Sequence, residues 1–194
     1  MQLPKELKNI YGFDGKVFKP IIVDDTSGSL VAIDYAHYEI HRGDSFSVAD
    51  TVACDTTTAK WQITTQSGPL LAHMVFDLSA TGEALYVFTE GSDRTDGTAL
   101  VEVNRNRSVS SGTATAIITR TPTGGETDGA ATLFSTRSGI TNIASKNLES
   151  GTVRGTSEWV LRPQTKYVVS ITTYAASYVT FTVNWYEHPG VADA

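Results

Sequence analysis

The sequence is poor in cysteine, with one such residue among 194. A single cysteine excludes an intrachain disulfide framework and a zinc cluster built from cysteines. A lone cysteine in a β domain usually behaves as a small apolar side chain, so we expect Cys54 to be buried.

Positive charge is also scarce, since 15 lysines and arginines face 21 aspartates and glutamates. The basic footprint of nucleic-acid binding is therefore missing, and we expect no nucleic-acid partner. No apolar run approaches the ~20 residues of a membrane-spanning helix, which predicts no membrane partner. The first residues, Met-Gln-Leu-Pro-Lys-Glu, lack the apolar core of a secretory signal, so we expect none.

Short segments that alternate apolar and polar residues fill most of the chain. The clearest one places four apolar side chains on one face of a strand: Val179, Phe181, Val183 and Trp185. Residues 167–172 alternate in the same way. The short connection at 174–178 predicts that these two strands pair as an antiparallel hairpin. Pro163 ends the apolar run before them, because proline donates no ladder hydrogen bond.

Strand candidates recur at short intervals between glycine-containing turns. They are residues 38–41, 45–48, 60–65, 70–78, 84–89, 100–103, 113–119 and 132–135. Eight or more short strands with turns every ~8–12 residues predict an all-β, antiparallel, jelly-roll-like β-sandwich. The pattern alone does not separate a jelly roll from an immunoglobulin-like topology. Residues 121–155, polar and glycine-rich, predict a long loop that holds only the strand at 132–135.

Residues 1–33 differ from the remainder because prolines and glycines interrupt any regular element. We interpret them as an extended N-terminal arm, followed by a β domain at 34–189 and a short tail at 190–194. Apolar residues in the arm predict a strand that adds to a neighbouring protein: Val17, Phe18, Ile21, Ile22 and Val23. The alternative is an ordinary N-terminal strand of the same domain.

One arrangement resembles a metal site. In a strand, His37, Glu39 and His41 share a face, and two imidazoles with a carboxylate can bind a divalent cation. The spacing differs from that of cupin jelly rolls, so we expect a polar strand face, no metal and no cofactor. No nucleophile elbow, phosphate-binding loop or dinucleotide fingerprint occurs. The sequence does not exclude a pair of carboxylates for glycoside cleavage, but it favours no particular pair.

A basic turn, Asn104-Arg105-Asn106-Arg107, follows the strand candidate at 100–103. Arginine forks suit packed polar interfaces, so Arg105 and Arg107 are predicted to contact a neighbouring subunit. The alternative is a solvated turn.

The order and spacing of several short motifs resemble a group of tailed-bacteriophage virion proteins encoded among head genes. The motifs are residues 38–46, Gly97-Thr98-Ala99-Leu100, the basic turn, residues 158–167 and Trp185-Tyr186-Glu187. The resemblance runs from about Tyr35 to Glu187 and leaves residues 1–33 outside.

The resemblance implies a capsid decoration, or cement, protein with a jelly-roll-like domain and no catalysis. Such proteins sit on the exterior of the virion head and clamp neighbouring capsid subunits. The implied partners are the major capsid protein and the chain itself, as a homotrimer ahead of a homodimer. Assembly would take place in the host cytoplasm, and the arm would bind capsid or a sister subunit.

Two other classes of function stay open at this point. A trimeric tail or head-fibre protein that binds host-surface glycan would need a cluster of exposed aromatic rings, for which Tyr174, Tyr178 and Tyr186 are candidates. A cupin-like or glycan-cleaving enzyme would need bound metal or measurable activity.

Overall fold

The computed structural model describes residues 10–13, 18–21, 35–108, 113–139, 151–154 and 158–189. The chain divides into two compact units, Met1–Tyr38 and Glu39–Ala194. Antiparallel strands dominate the described residues, which contain one short helix, α1 (Tyr35–Arg42). The prediction of an all-β fold is confirmed.

The N-terminal unit contains two short strands, β1 (Ile10–Phe13) and β2 (Phe18–Ile21). They pair antiparallel with each other, with Phe13 opposite Phe18 and Ile10 opposite Ile21. Phe18 and Ile21 of the predicted contact segment therefore belong to β2. Val17, Ile22 and Val23 lie outside the described residues.

The larger unit is a sandwich of two antiparallel sheets. Its strands are β3 (Ser45–Cys54), β4 (Thr58–Thr64), β5 (Leu70–Ala80), β6 (Ala84–Glu90), β7 (Thr98–Ala99), β8 (Val103–Asn104), β9 (Ile117–Arg120), β10 (Ala131–Ser138), β11 (Gly151–Arg154), β12 (Trp159–Leu161), β13 (Lys166–Thr173) and β14 (Ser177–Pro189). Sheet I has the order β11-β5-β14-β3-β8, with β12 also beside β5. Sheet II has the order β10-β6-β13-β4-β9-β7.

Strands β3 to β6 alternate between the two sheets, as do β13 and β14, whereas β6, β10 and β13 all lie in sheet II. Strands β3, β5 and β14 belong to sheet I, whereas β4, β6 and β13 belong to sheet II. The predicted hairpin of the last two strands is therefore wrong: β14 lies between β3 and β5, and β13 lies between β4 and β6. A period of two shows which face of a strand is apolar, but it does not identify the strand alongside.

The core lies between the two sheets and is rich in aromatic rings. Trp61 of sheet II stacks on Phe181 of sheet I, with ring centroids 5.1 Å apart. Phe76 of sheet I meets Phe88 of sheet II at 5.0 Å. The apolar face predicted for the last strand is confirmed as buried: Val179, Phe181, Val183 and Trp185. Cys54 is buried and free, as expected.

The strand predicted at 38–41 is wrong, because these residues lie in α1. Gly43, at φ 83°, ends the helix. Its amide donates to the carbonyl of Ile40, and the amide of Asp44 donates to the carbonyl of Glu39, both at 3.1 Å. These are the two bonds of a Schellman motif, in which glycine adopts the left-handed conformation at low cost. Four alternating residues are too few to distinguish a strand from one helical turn.

Three other strand predictions need correction. The strand expected at 100–103 is replaced by β7 and β8, which flank residues 100–102. The strand expected from 113 begins only at Ile117. The predicted loop at 121–155 contains β10, which is longer than the strand expected at 132–135, and also β11.

The first part of that predicted loop is anchored against sheet II through Asp128. One carboxylate oxygen accepts from Lys60 Nζ at 2.6 Å, and the other accepts from Arg94 Nε at 2.8 Å. The Asp128 carbonyl accepts from the Thr89 hydroxyl at 2.6 Å. Val168 is buried although it lies on the outer side of β13. The segment is therefore a packed part of the domain.

We expect the contribution of Asp128 to stability to depend on pH. Burial alone would raise the pKa of this carboxyl, but hydrogen bonds from Lys60 and Arg94 outweigh burial and hold the pKa below its ordinary 3.8. The stabilisation is therefore present above the unfolded pKa and is lost as pH falls through the folded pKa. Asp128→Asn should lower the free energy of unfolding by roughly 0.5–1 kcal/mol at pH 7.

Urea unfolding of both proteins at pH 7, 5 and 3 checks this expectation. The difference between wild type and Asp128→Asn should persist at pH 5 and shrink at pH 3. A difference that stays constant across the series would show that the charge of Asp128 plays no part.

Candidate functional site

One side of the sandwich is formed by the segment that links the edges of both sheets. Strand β7 is the edge of sheet II and pairs with β9, placing Thr98 opposite Arg120. Strand β8 is the edge of sheet I and pairs with β3, placing Asn104 opposite Phe46. Residues 98–104 therefore cross from one sheet to the other along the side of the domain.

Exposed and inward-facing side chains alternate along this segment. The exposed ones have odd numbers: Val101, Val103, Arg105 and Arg107. Between them, Asn104 Nδ2 donates to the Gly43 carbonyl at 2.5 Å, and Asn106 Nδ2 donates to the His41 carbonyl at 2.9 Å. The side chains of Asn104 and Asn106 therefore anchor the segment, whereas the odd-numbered side chains are exposed to solvent.

The end of α1 supports the basic turn. The last carbonyls of a helix have no intrahelical partner, and Asn106 satisfies one of them, that of His41. The backbone amide of Arg105 donates to the carbonyl of Ser45 at 2.9 Å. Asn106 N donates to the side chain of Asn104 at 2.8 Å, which tightens the turn. Arg105 and Arg107 thus project from a fixed backbone, and neither pairs with a carboxylate of another described residue.

Exposed apolar side chains lie on the same segment as the two arginines and on the neighbouring strand β9. Val101 is 84% exposed, Val103 48% and Ile117 45%. The amide of Leu100 donates to the carbonyl of Ile118 at 2.8 Å, which joins the residue before Val101 to the residue after Ile117. We call this surface the edge patch, and it consists of Val101, Val103, Arg105, Arg107 and Ile117.

A buried carboxylate fixes the chain below the edge patch. Glu187, on β14, accepts hydrogen bonds from the backbone amides of Thr115 and Ala116 at 2.8 to 3.0 Å. The same carboxylate accepts from Trp185 Nε1 at 3.0 Å. Residues 115 and 116 lead directly into Ile117, so this bond set positions the apolar end of the patch.

Asp50 joins the two sheets at the same side of the sandwich. It lies on β3, and its carboxylate accepts from Trp61 Nε1 at 2.8 Å and from Arg120 Nη1 at 3.1 Å, both in sheet II. Strand β8 covers β3 only at Phe46 and Ser47, and no other described strand lies on that edge. An inward-pointing charge on an open edge discourages strand addition. Strand addition at this edge of sheet I is therefore disfavoured.

The predicted contact residues fall into two groups. Arg105 and Arg107 lie together on the edge patch, whereas Phe18 and Ile21 lie on β2 of the other unit. Sequence reasoning missed Val101, Val103 and Ile117. The first two were visible in the alternating run Val-Glu-Val-Asn-Arg-Asn-Arg, but their exposure depends on where the asparagines bond.

The interpretation of a shared strand face for His37, Glu39 and His41 is wrong, since all three lie in α1. Glu39 is fully buried, with Arg42 Nη1 at 3.7 Å from its carboxylate, whereas His37 and His41 are exposed. Among the described residues, no group of three or more His, Cys, Asp or Glu side chains is arranged to hold a metal ion.

The three tyrosines that a glycan platform would need do not form one cluster. Tyr178 and Tyr186 are eight residues apart on β14, which corresponds to about 27 Å along a strand. The Tyr174 ring, on the connection before β14, packs under the guanidinium of Arg137 at 4.3 Å. The side chain of Tyr186 stacks on His73.

Comparisons with known proteins find no matching family model, no matching curated protein and no matching solved structure. In the part of the chain that the structure describes, no helix is long and apolar enough to cross a membrane.

Proposed function

We propose that the protein is a capsid decoration, or cement, protein of a tailed bacteriophage. It binds the outer surface of the virion head and stabilises the assembled capsid without catalysis. The observation that carries this proposal is the edge patch, which combines exposed apolar side chains with two arginines on an anchored turn. Exposed apolar residues combined with arginine are typical of protein–protein contact surfaces.

The positive charge of the edge patch favours a negatively charged partner at this surface. The chain has a formal net charge of −6, yet the edge patch carries two positive charges. A local cationic patch on an acidic protein orients the molecule during encounter with an acidic partner. We expect the major capsid protein to present carboxylates where the patch docks.

Stabilisation of the shell follows from mass action. A protein that binds the assembled capsid and not its separated subunits lowers the free energy of the assembled state. Each contact can be modest, because many copies act on one shell. No bond is made or broken in this role.

The connectivity of the sandwich supports the fold of that class, and we propose a jelly-roll topology. Strands β3, β4, β5 and β6 alternate between the sheets, and β13 is followed by β14 in the opposite sheet. In an immunoglobulin-like sandwich, by contrast, successive strands such as A and B, or D and E, lie in one sheet. The alternation seen here is typical of the two interlocked Greek keys of a jelly roll.

The N-terminal unit suits contact with a neighbouring protein. Among the described residues, β1 and β2 pair only with each other. An isolated two-stranded hairpin is at best marginally stable in water, so a third strand or an apolar surface from a partner would stabilise it. We propose that residues 1–33 bind capsid or a sister subunit, and that the chain forms a closed homotrimer ahead of a homodimer.

A cryo-electron-microscopy map of the particle that carries this protein tests the proposal. We expect density for the sandwich on the outer head surface, at symmetry axes between capsid subunits, with the edge patch against the shell. Density at the tail or on a fibre would contradict the proposal and would favour the glycan-binding alternative.

A further inference from the structure

Two histidines from distant parts of the chain meet on the outer face of sheet I. His73 lies on β5 and His188 on β14. Their Nε2 atoms are 2.8 Å apart, and their ring centroids are 4.5 Å apart. Two ring nitrogens come this close only if a cation lies between them or if one of them carries a proton and donates it to the other.

The other nitrogen of His188 shows which tautomer the ring adopts. His188 Nδ1 lies 2.6 Å from the backbone carbonyl oxygen of Pro189. A carbonyl oxygen can only accept a hydrogen bond, so Nδ1 must carry the proton. In the neutral ring, Nε2 of His188 then presents a lone pair toward His73.

A carboxylate favours the same tautomer of His73. Its Nδ1 lies 3.2 Å from Glu158 Oε1, and an ionised carboxylate can only accept. The hydroxyl oxygen of Tyr186 is also 3.2 Å from this nitrogen, and its ring stacks on His73 at 4.7 Å between centroids. In the neutral ring, Nε2 of His73 therefore presents a lone pair toward His188.

Two lone pairs that face each other at 2.8 Å repel, and a cation between them removes the repulsion. We propose that His73 and His188 bind a late first-row divalent cation through their Nε2 atoms, with Zn²⁺ as the test case. Imidazole nitrogen suits zinc, copper and nickel. Tetrahedral zinc with bonds near 2.05 Å separates two ligand nitrogens by about 3.3 Å, so the rings need to move apart by about 0.5 Å.

The surroundings of the pair resemble the outer shell of a histidine metal site. Metal-binding histidines commonly donate the second ring N–H to a carboxylate or a backbone carbonyl, which aims the ligand nitrogen at the metal. Glu158 and the carbonyl of Pro189 occupy these two positions here. No third side chain from the described residues completes the set, so water would fill the remaining positions and affinity would stay below that of a four-ligand structural site. This inference does not rest on the proposed role at the capsid.

Isothermal titration of the full chain with Zn²⁺ near pH 7.5 tests the proposal. We expect saturable binding of one equivalent per chain, and loss of that binding in His73→Gln/His188→Gln. The chain has four histidines, so the matched control is the double variant at the other two, His37→Gln/His41→Gln, which should bind as wild type does. Glu158→Ala should bind roughly 10-fold more weakly.

Imidazole nitrogen NMR of the unmutated protein gives a second measurement that needs no variant. Added Zn²⁺ should shift the Nε2 resonances of two histidines while their Nδ1 atoms stay protonated. Absence of saturable binding by wild type would overturn the proposal and leave a proton shared between the two rings. Binding that survives in His73→Gln/His188→Gln, or that is lost in the control, would also overturn it.

Discussion

Trp185→Ala is expected to lower the free energy of unfolding by roughly 3–5 kcal/mol. The indole is buried in the core, where its ring lies 5.6 Å from that of Phe46. Removing it leaves a cavity that the two surrounding sheets can only partly close. It also removes the Nε1 donor to Glu187, whose carboxylate holds the amides of Thr115 and Ala116. Urea unfolding at pH 7, followed by tyrosine fluorescence and far-UV circular dichroism, measures the change.

Tyr178→Ala is the matched control, because it removes an aromatic ring from the same strand on the opposite face. Tyr178 is 63% exposed, so the change should stay within about 0.5 kcal/mol. A Trp185→Ala protein that unfolds at the same urea concentration as Tyr178→Ala would show that Trp185 is not in the core.

Trp185→Phe separates packing from hydrogen bonding. Phenylalanine keeps most of the ring volume but has no N–H for Glu187. The carboxylate would keep its two backbone donors, so we expect a cost of about 1–2 kcal/mol, well below that of alanine. Trp185→Ala should lower the free energy of unfolding more than Trp185→Phe if both the cavity and the lost hydrogen-bond donor contribute.

The faces of strands were predictable because they depend on local order alone. In β14 a period of two separates buried Val179, Phe181 and Val183 from polar neighbours, and burial confirms it. The partner of each strand was not predictable in this way. Strand β13 looks like the other half of a hairpin, yet it lies in sheet II because its apolar face packs across the sandwich.

The candidate sites depend on contacts that span long stretches of chain. Asn106 bonds a carbonyl 65 residues away, and Asn104 one that is 61 residues away, so the outward turn of the arginines had no local cause in the sequence. His73 and His188 are 115 residues apart. By contrast, His37 and His41 looked like a pair on a strand, but Gly43 and Asp44 close a helix there. Local histidine spacing was therefore the misleading observation.

Arg105→Gln/Arg107→Gln is expected to weaken the proposed binding to the capsid at least about 100-fold, which corresponds to roughly 3 kcal/mol. The two guanidinium groups project from a turn that Asn104 and Asn106 hold in place, so they reach a partner with little loss of backbone freedom. Both side chains are exposed, and the free energy of unfolding should stay within about 0.5 kcal/mol of wild type. Co-sedimentation with purified expanded shells that lack the protein measures the affinity.

The matched control removes the same two positive charges elsewhere. Arg137 and Arg162 are exposed and lie away from the edge patch, where they pair with Glu83 and Glu90. Arg137→Gln/Arg162→Gln should therefore bind shells nearly as wild type does. Equal loss in the two double variants would show that net charge, and not the edge patch, drives binding.

Val101→Ala distinguishes contact from electrostatic steering at the same surface. Val101 is 84% exposed, so its truncation should leave the free chain as stable as before. If the patch is buried on the shell, loss of the two methyl groups should leave the association rate unchanged and raise the dissociation rate, because apolar contacts act after docking. Charge removal at Arg105 and Arg107 should instead also lower the association rate, most strongly at low salt. If the patch only steers the molecule, the arginine variant should associate more slowly, but Val101→Ala should dissociate at the wild-type rate.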